Sequence, residues 1–236
     1  MGMSYIVIAA IGGYLVGSIS FARLVAALAG RPDALERVEM SVEGTTEPLQ
    51  FSSQGATTVS LALGKRWGFV TMVLDMAKIA LPTLVARLML PQEPYHLIVA
   101  AAGMVGHIWP IYYRFRGGRG MSAMYGGMLV IDWPGIFASF VGGILLGIVV
   151  LRNGMLAYLA SFWLLIPWLW FRTHDWRYVA YALFVNALFV VGMIPEIKQY
   201  KALREQGADT DPAAVLQRTA MGRGMLRIAR LFGANR

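Results

Sequence analysis

The sequence contains no cysteine, which excludes a disulfide framework and any thiolate metal site. Charged residues are also scarce: they make up 14% of the chain, against about 25% in an ordinary soluble domain. Hydrophobic residues make up 57%, and the mean hydropathy is +0.56. This balance excludes soluble and nucleic-acid-binding proteins. It predicts an all-α, polytopic membrane helix bundle, for which 236 residues provide six or seven spans.

Acidic residues are the scarcer charge, with 13 Asp and Glu against 21 Lys and Arg, so the net charge is +8. In a membrane protein this excess favours contact with anionic membrane lipids or a phosphorylated substrate, and not with nucleic acid. The first hydrophobic segment has neither a basic leader nor a cleavage site. We therefore expect it to be a retained span and not a signal peptide.

Hydrophobic runs predict about seven transmembrane helices, one of them short. Residues 121–151 are too long for a single span, and Asp132-Trp133-Pro134 interrupts them, so we divide this stretch into two helices. The predicted helices are residues 4–29, 67–89, 97–113, 121–131 (the short one), 135–151, 155–171 and 178–194.

The distribution of basic residues supports seven spans. With seven helices and the N-terminus outside, sixteen Lys and Arg residues lie on one side of the membrane and two, Arg172 and Arg177, on the other. With six helices the two sides balance. The positive-inside rule therefore selects seven helices with a cytoplasmic C-terminus. Residues 1–194 form the predicted bundle, in which residues 31–66 are a cytoplasmic loop, and residues 195–236 form a cytoplasmic tail. That tail ends in a basic amphipathic helix on the membrane surface, with Leu226, Ile228, Ala229, Leu231 and Phe232 among arginines.

The most informative stretch, residues 103–120, reads GMVGHIWPIYYRFRGGRG. Glycine lets backbone N–H groups converge on one point, and arginine donates forked hydrogen bonds to phosphate oxygens. His107 lies near the end of the predicted helix. We therefore predict a phosphate site facing the water; the alternative is a basic loop that only fixes orientation. The candidate residues here are His107, Arg114, Arg116, Gly117, Gly118, Arg119 and Gly120.

Two further segments contain polar candidates. The run FSSQGATT at residues 51–58 is rich in hydroxyl groups, and it either binds an anion or caps the next helix. Asp75 and Lys78 lie within a predicted span at a spacing that places both on one helix face. They form either a structural ion pair or a substrate contact. The candidates in the hydroxyl-rich run are Ser52, Ser53, Gly55, Thr57 and Thr58.

These segments resemble the bacterial acyl-phosphate-dependent glycerol-3-phosphate acyltransferases. GYLVGSISFARL at residues 13–24 is similar to that family's GSIP block. GATTVSLALGKRWG at residues 55–68, with LDMAKI at 74–79, is similar to its SGNxGATN and LDxLKG blocks. GHIWPIYYRFRGGRG is close to its GHxxPxxxxFxGGKG block. The resemblance covers residues 4–133.

The resemblance implies that the hydroxyl of glycerol 3-phosphate attacks a fatty acyl phosphate, giving lysophosphatidate and phosphate without a metal or coenzyme A. It implies a multi-pass protein of the bacterial inner membrane that contacts membrane lipids, with its N-terminus outside and its site loops cytoplasmic. Ser52, Ser53, His107 and Arg119 then have the catalytic roles. Substrate phosphate is bound by Gly55, Thr57, Thr58, Lys78, Arg114, Arg116, Gly117, Gly118 and Gly120.

The chain also departs from the family pattern. Arg119 replaces a lysine, Thr58 an asparagine and Leu61 an arginine, and the HRxNI block near residues 194–199 reads IPEIKQ. Arg23, Arg114 and Arg116 are candidates to compensate. The sequence therefore predicts a divergent acyltransferase. Two alternatives are a catalytically impaired relative that binds lipid or a membrane-protein partner, and a transporter of small anions.

Overall fold

A computed structural model describes residues 2–36, 38–40, 49–51, 53–146 and 161–205, and over these it is almost entirely helical. Four predictions fall outside the described residues: the role of Ser52, the end of the fifth span near residue 151, the start of the sixth span near residue 155, and the basic amphipathic helix around residues 226–232. The count of seven spans therefore stays a prediction.

The first hydrophobic run forms two helices, α1 (Met3–Gly17) and α2 (Phe21–Leu28), where the sequence predicted one. The break is local: Ser20 is extended, with φ −94° and ψ 97°, and the Ser18 hydroxyl donates to the Tyr14 carbonyl at 2.8 Å. Hydropathy is high on both sides of the break, so a hydropathy pattern predicts one continuous helix.

The predicted cytoplasmic loop contains short elements. A single 3-10 turn, Pro32–Leu35, follows α2. The strands β1 (Glu39–Met40) and β2 (Leu49–Gln50) then pair antiparallel, with Glu39 opposite Gln50. Helix α3 (Ala56–Leu63) packs on α4, and Gly68 of α4 allows a close approach to Ser60.

Helix α4 (Lys65–Met89) agrees with the second predicted span, whereas α5 (Tyr95–Ile108) ends before its predicted end at residue 113. Trp109 leaves the helix because a residue that precedes proline, here Pro110, is disfavoured in the α conformation. A 3-10 turn, Ile111–Tyr113, follows. Helix α5 lies at the centre of the bundle, in contact with α1, α4, α6 and the last helix.

Residues 121–144 form α6 (Met121–Ile144), which consists of two helical segments that meet at a kink at Asp132, so the boundary that the sequence predicted there is confirmed. Asp132 alone is non-helical there, with φ −159° and ψ 83°. Its carboxylate accepts hydrogen bonds from Trp168 Nε1 at 2.5 Å and Arg172 at 3.3 Å. Arg87 donates to the Val130 and Ile131 carbonyls beside the kink. Side chains therefore satisfy backbone groups that the kink leaves unpaired.

Two helices complete the described bundle, α7 (Leu165–Thr173) and α8 (Trp176–Glu205). Helix α8 continues through Pro195, past the predicted end of the span at residue 194. The rings of Phe162 and Phe189 stack in the core at a centroid separation of 4.5 Å. Other buried residues of the same core include Ile79, Met104, Met124, Met128 and Val185.

Four described segments are long and apolar enough to cross a membrane: Met3–Leu28, Lys65–Met89, Met121–Gly143 and Trp176–Pro195. Large apolar side chains cover their outer faces, as lipid contact requires. On α1 and α4 these include Ile8, Ile11, Phe69, Leu81 and Leu88. The prediction of a helical membrane protein with several spans is therefore confirmed at this level.

Helices α1 and α5 cross at very short range because both contribute glycine to the contact. A Cβ atom built on Gly13 would overlap the backbone of Val99, and one built on Gly17 would overlap the backbone of Gly103. Gly12 faces open space instead. Small residues that let two helix backbones meet are typical of membrane packing.

We expect Gly17→Ala to separate α1 from α5 and to lower thermal stability in detergent, since overpacking costs about 1–3 kcal/mol. Gly12→Ala is the matched control, and its helix propensity should leave stability unchanged or slightly higher. Equal melting temperatures for the two variants would contradict the packing described for Gly17.

Candidate active site

The segment from Arg114 to Gly120, which we name the glycine-arginine loop, folds back over the end of α5. The Gly118 N–H donates to the His107 carbonyl at 3.0 Å. A Cβ atom on Gly117 would overlap that carbonyl, and one on Gly118 would overlap the His107 ring. Gly120 has φ +93° and is the N-cap of α6. The loop therefore needs glycine at these positions to lie close to α5.

The turn formed by Ser53, Gln54 and Gly55, which we name the Ser53 turn, packs against this loop. The Gln54 N–H donates to the Gly117 carbonyl at 2.8 Å. Arg119 Nε donates to the Ser53 hydroxyl at 3.1 Å, and its guanidinium lies 5.7 Å from the Phe51 ring centroid. The structure thus brings together two predicted site segments that are distant in sequence.

Two threonines follow the Ser53 turn in α3. Thr58 is buried, and its hydroxyl donates to the Ser53 carbonyl at 2.6 Å, which stabilises the turn. Thr57 is half-buried in the first turn of the helix. Gly55 is the N-cap of α3 and contributes no side-chain cap. The hydroxyl of Thr58 therefore shapes the turn, while substrate binding by Thr57 and Thr58 stays a prediction.

A cavity of about 860 Å³, the site cavity, opens beside the loop and the turn. Arg116 is exposed along one side of it, and Val191, Gly192 and Pro195 of α8 form another side. Arg114 is exposed at the start of the loop. Further lining comes from Leu35, Glu36, Val38, Glu39, Phe51, Ser53, Gln54, Ile108, Trp109, Phe115, Gly117 and Gly118.

Beneath the loop lies a buried ion cluster of Asp75, Lys78 and His107. Lys78 Nζ is 2.8 Å from Asp75 Oδ1, and His107 Nδ1 is 3.6 Å from the same oxygen. Lys78 also donates to the Ile19 carbonyl at 2.6 Å. The predicted structural ion pair is present, and with the Ile19 carbonyl it occupies two of the three N–H donors of the Lys78 ammonium. Phosphate binding by Lys78 and a catalytic role for His107 stay predictions.

Sequence reasoning missed several contributors to the site. Gln54 joins the turn to the loop through its backbone, and such a contact leaves no pattern in the sequence. Phe51 packs under the Arg119 guanidinium, where a polar residue was expected from the family pattern. Arg23 was a candidate for compensation, and its guanidinium lies 4.8 Å from the Tyr113 ring centroid.

This arrangement suits the binding of anionic oxygens. Arg116 lines the site cavity and Arg119 lies in the same loop, and guanidinium groups donate to phosphate oxygens and stabilise developing negative charge. The geometry therefore fits chemistry on a phosphorylated substrate.

Comparison with known proteins identifies the family. The profile of the family described as glycerol-3-phosphate acyltransferase matches residues 7–202. The chain belongs to this family. A glycerol-3-phosphate acyltransferase of Methylococcus capsulatus is 31% identical over 179 residues, which are 75% of this chain and 83% of that protein. One from Legionella pneumophila is 31% identical over 161 residues, 68% of this chain and 49% of that protein. The chain thus spans about half the length of the Legionella relative that it matches.

A solved acyltransferase has the same fold. The crystal structure of PlsY, an integral membrane glycerol 3-phosphate acyltransferase, in its lysophosphatidic acid form superposes with a TM-score of 0.66 at 22% identity, covering 84% of this chain and 93% of PlsY. Its glycerol 3-phosphate form gives the same values. The family resemblance that the sequence motifs predicted is confirmed.

Several departures from the acyltransferase family lie in elements that contribute to the site, α3 and α8. Leu61, at the family's arginine position, is 40% exposed on α3. Thr58, at an asparagine position, is engaged with the Ser53 carbonyl. The segment IPEIKQ, at the HRxNI position, belongs to α8, which contributes Pro195 to the site cavity. Of these positions, the structure places Thr58 in contact with the Ser53 turn and Pro195 at the site cavity.

Proposed function

We propose that the protein is a membrane acyltransferase that transfers a fatty acyl group from acyl phosphate to glycerol 3-phosphate, forming lysophosphatidate for phospholipid biosynthesis. The meeting of the glycine-arginine loop and the Ser53 turn beside the site cavity carries this proposal. Family membership supports it, since the matching profile covers both segments.

The site must perform three functions in this reaction. It must hold the acceptor phosphate, hold the acyl phosphate, and stabilise the negative charge on the leaving phosphate. Arg116 and Arg119 supply cationic donors, and Gly117 and Gly118 let the backbone approach a phosphate group. In this proposal the acceptor hydroxyl attacks the acyl carbonyl, the acyl–phosphate bond breaks, and the hydroxyl proton leaves with the phosphate product.

Acyl transfer by the purified protein tests the proposal directly. Palmitoyl phosphate and radiolabelled glycerol 3-phosphate are incubated with the protein in detergent micelles, and radiolabelled lysophosphatidate is measured. Palmitoyl coenzyme A replaces the acyl phosphate in a parallel reaction. Product only with acyl phosphate supports the proposal. If neither donor gives radiolabelled lysophosphatidate, the proposal is wrong.

We further propose that the protein lies in the bacterial inner membrane with its N-terminus outside and the site loops and C-terminus cytoplasmic. The sixteen-to-two distribution of basic residues supports this orientation.

Topology reporters fused at Gly2 and at Arg236 should lie on opposite sides of the membrane, the Arg236 fusion in the cytoplasm. Seven spans place the two termini apart, whereas six would place them together. Both reporters on one side would rule out the seven-span arrangement, and a fusion at Gln92, which lies outside in both arrangements, serves as the internal control for the outer side.

The alternative is a catalytically impaired relative that binds lipid or a membrane-protein partner. One observation favours it: Thr58 donates its hydroxyl within the Ser53 turn, and Leu61 offers no polar group where the family has arginine. Loss of a charge-assisted contact to phosphate is worth about 1.5–3 kcal/mol, or roughly ten- to a hundredfold in rate.

Restoring the family residues distinguishes the two functions. We expect Leu61→Arg with Thr58→Asn to raise transfer to glycerol 3-phosphate about tenfold or more, because an arginine in the second turn of α3 regains a phosphate contact. Leu61→Gln with Thr58→Asn is the matched control without the charge. An unmodified protein that already works at the rate of an ordinary family member would show that other groups replace the missing arginine.

A further inference from the structure

The buried ion cluster of Asp75, Lys78 and His107 lies directly beneath the loop that we assign to phosphate. We propose that Asp75 and Lys78 are positioning residues. They act through His107 and the Ile19 carbonyl to hold the glycine-arginine loop at the distance from α5 that phosphate binding requires. This proposal rests on the proposed function and adds to it two residues that do not contact the substrate.

The first step is the contact between the cluster and the loop. The His107 ring lies where a Gly118 side chain would be, and the His107 carbonyl accepts the Gly118 N–H. The opposite side of the ring faces Asp75, with Nδ1 3.6 Å from Oδ1. A carboxylate beside one ring nitrogen of histidine fixes the ring's tautomer and orientation. Asp75 therefore sets the orientation of the ring on which Gly118 rests.

The second step is the contact between the cluster and the break of the first span. Lys78 donates to the carbonyl of Ile19, which lies between α1 and α2 where the helical hydrogen bonds stop. Residues of the break, the cluster, Gln54 and Gly117 line one narrow cleft. Asp75 and Lys78 thus connect the break, the Ser53 turn and the glycine-arginine loop from a single buried point.

Stability alone does not explain the cluster. A buried ion pair is often no more stabilising than an apolar pair of the same volume. The side chains of Lys78, Asp75 and His107 are 3%, 2% and 6% exposed, and Asp75 Oδ2 accepts no hydrogen bond from any residue that the structure describes. Burial of these ionisable side chains costs free energy, and a role in positioning the loop accounts for that cost.

The test compares two variants that carry no buried ion pair and differ at one position. Asp75→Leu with Lys78→Met removes both charges and the acceptor that faces His107. Asp75→Asn with Lys78→Met removes both charges and keeps an acceptor of similar size. His107→Phe removes the same contact from the other side, and it preserves the test if the leucine variant does not fold. Asp132→Asn, a buried carboxylate at the α6 kink, is the control for a general loss of stability.

We expect the leucine variant and His107→Phe to raise the KM for glycerol 3-phosphate about tenfold or more, since misplacing a site by about 1 Å costs up to a hundredfold. Their kcat should change less than threefold, the pattern of weakened ground-state binding. The asparagine variant keeps the contact with His107 and loses the Lys78 bond to the Ile19 carbonyl, so its KM should rise by an intermediate amount, about threefold. Asp132→Asn should lower the melting temperature without changing KM.

Unchanged KM in the leucine variant would overturn the proposal and leave the cluster a structural feature. A large fall in kcat at unchanged KM in His107→Phe would also overturn it, by assigning His107 to the chemistry. Thermal shifts with inorganic phosphate are measured for all variants. If the unmodified protein transfers no acyl group, the proposed function fails, while the phosphate shifts still decide whether the cluster positions the loop.

Discussion

Arg119→Ala is expected to reduce acyl transfer at least a hundredfold while the protein still folds and inserts. Arg119 is the residue at which the two site segments meet, through its bond to Ser53 and its position over Phe51. Each charge-assisted hydrogen bond from the Arg119 guanidinium to phosphate is worth about 1.5–3 kcal/mol. Loss of two such bonds therefore lowers the rate of transfer a hundredfold or more. Steady-state transfer and the phosphate-dependent thermal shift measure the loss.

Two companion variants define what Arg119 contributes. Arg119→Lys should retain intermediate activity, because lysine keeps the charge and loses the forked geometry. Arg177→Ala removes a surface arginine that pairs with Asp175, in the turn between α7 and α8, and it should leave transfer unchanged. If Arg119→Ala binds inorganic phosphate as tightly as the unmodified protein, the assigned role of Arg119 is wrong.

We also expect Gly118→Ala to reduce kcat/KM by about a hundredfold. The added methyl group would overlap the imidazole of His107, which cannot retreat because Asp75 and the α5 backbone lie behind it. The loop must then move outward, and a displacement of about 1 Å has an effect of this size. The ratio of kcat to KM is measured beside the melting temperature of each variant.

Gly12→Ala is a suitable control, because it makes the same chemical change where nothing lies within 4 Å. Full activity in a folded Gly118→Ala protein would show that the loop still functions when it lies farther from α5. That result would also count against the positioning proposal, which depends on the contact between Gly118 and His107.

Hydropathy and charge were sufficient to predict the fold class and the approximate position of most helices. They were not sufficient for every helix interruption. The break at Ser18–Ser20 lies in an apolar run, and its carbonyl is satisfied by Lys78, a partner that only the folded bundle supplies. At residue 132 the sequence predicted the interruption from Asp132-Trp133-Pro134, but not the side chains that stabilise it, Arg87, Trp168 and Arg172.

The candidate site was predictable in its parts and not in its assembly. Motif spacing pointed to Arg119 and to the Ser53 turn separately, because each has a local sequence pattern. Their hydrogen bond depends on the packing of α3 against α4 and on the path of the loop over α5, neither of which spacing along the chain determines. For the same reason the backbone contact of Gln54 could not be predicted.

The pairing of Asp75 with Lys78 has a consequence for how the protein is made. The two residues lie on the same helix, three positions apart, so their charges compensate before any neighbouring helix is present. Each ionised residue at the centre of a span costs about 2.5–3.5 kcal/mol during insertion, and a local pair offsets part of that cost. The central part of α4, between Arg66 and Arg87, can therefore leave the translocation machinery for lipid as an electrically neutral segment. The ribosome need not have finished α5, whose His107 joins the pair only after the bundle assembles.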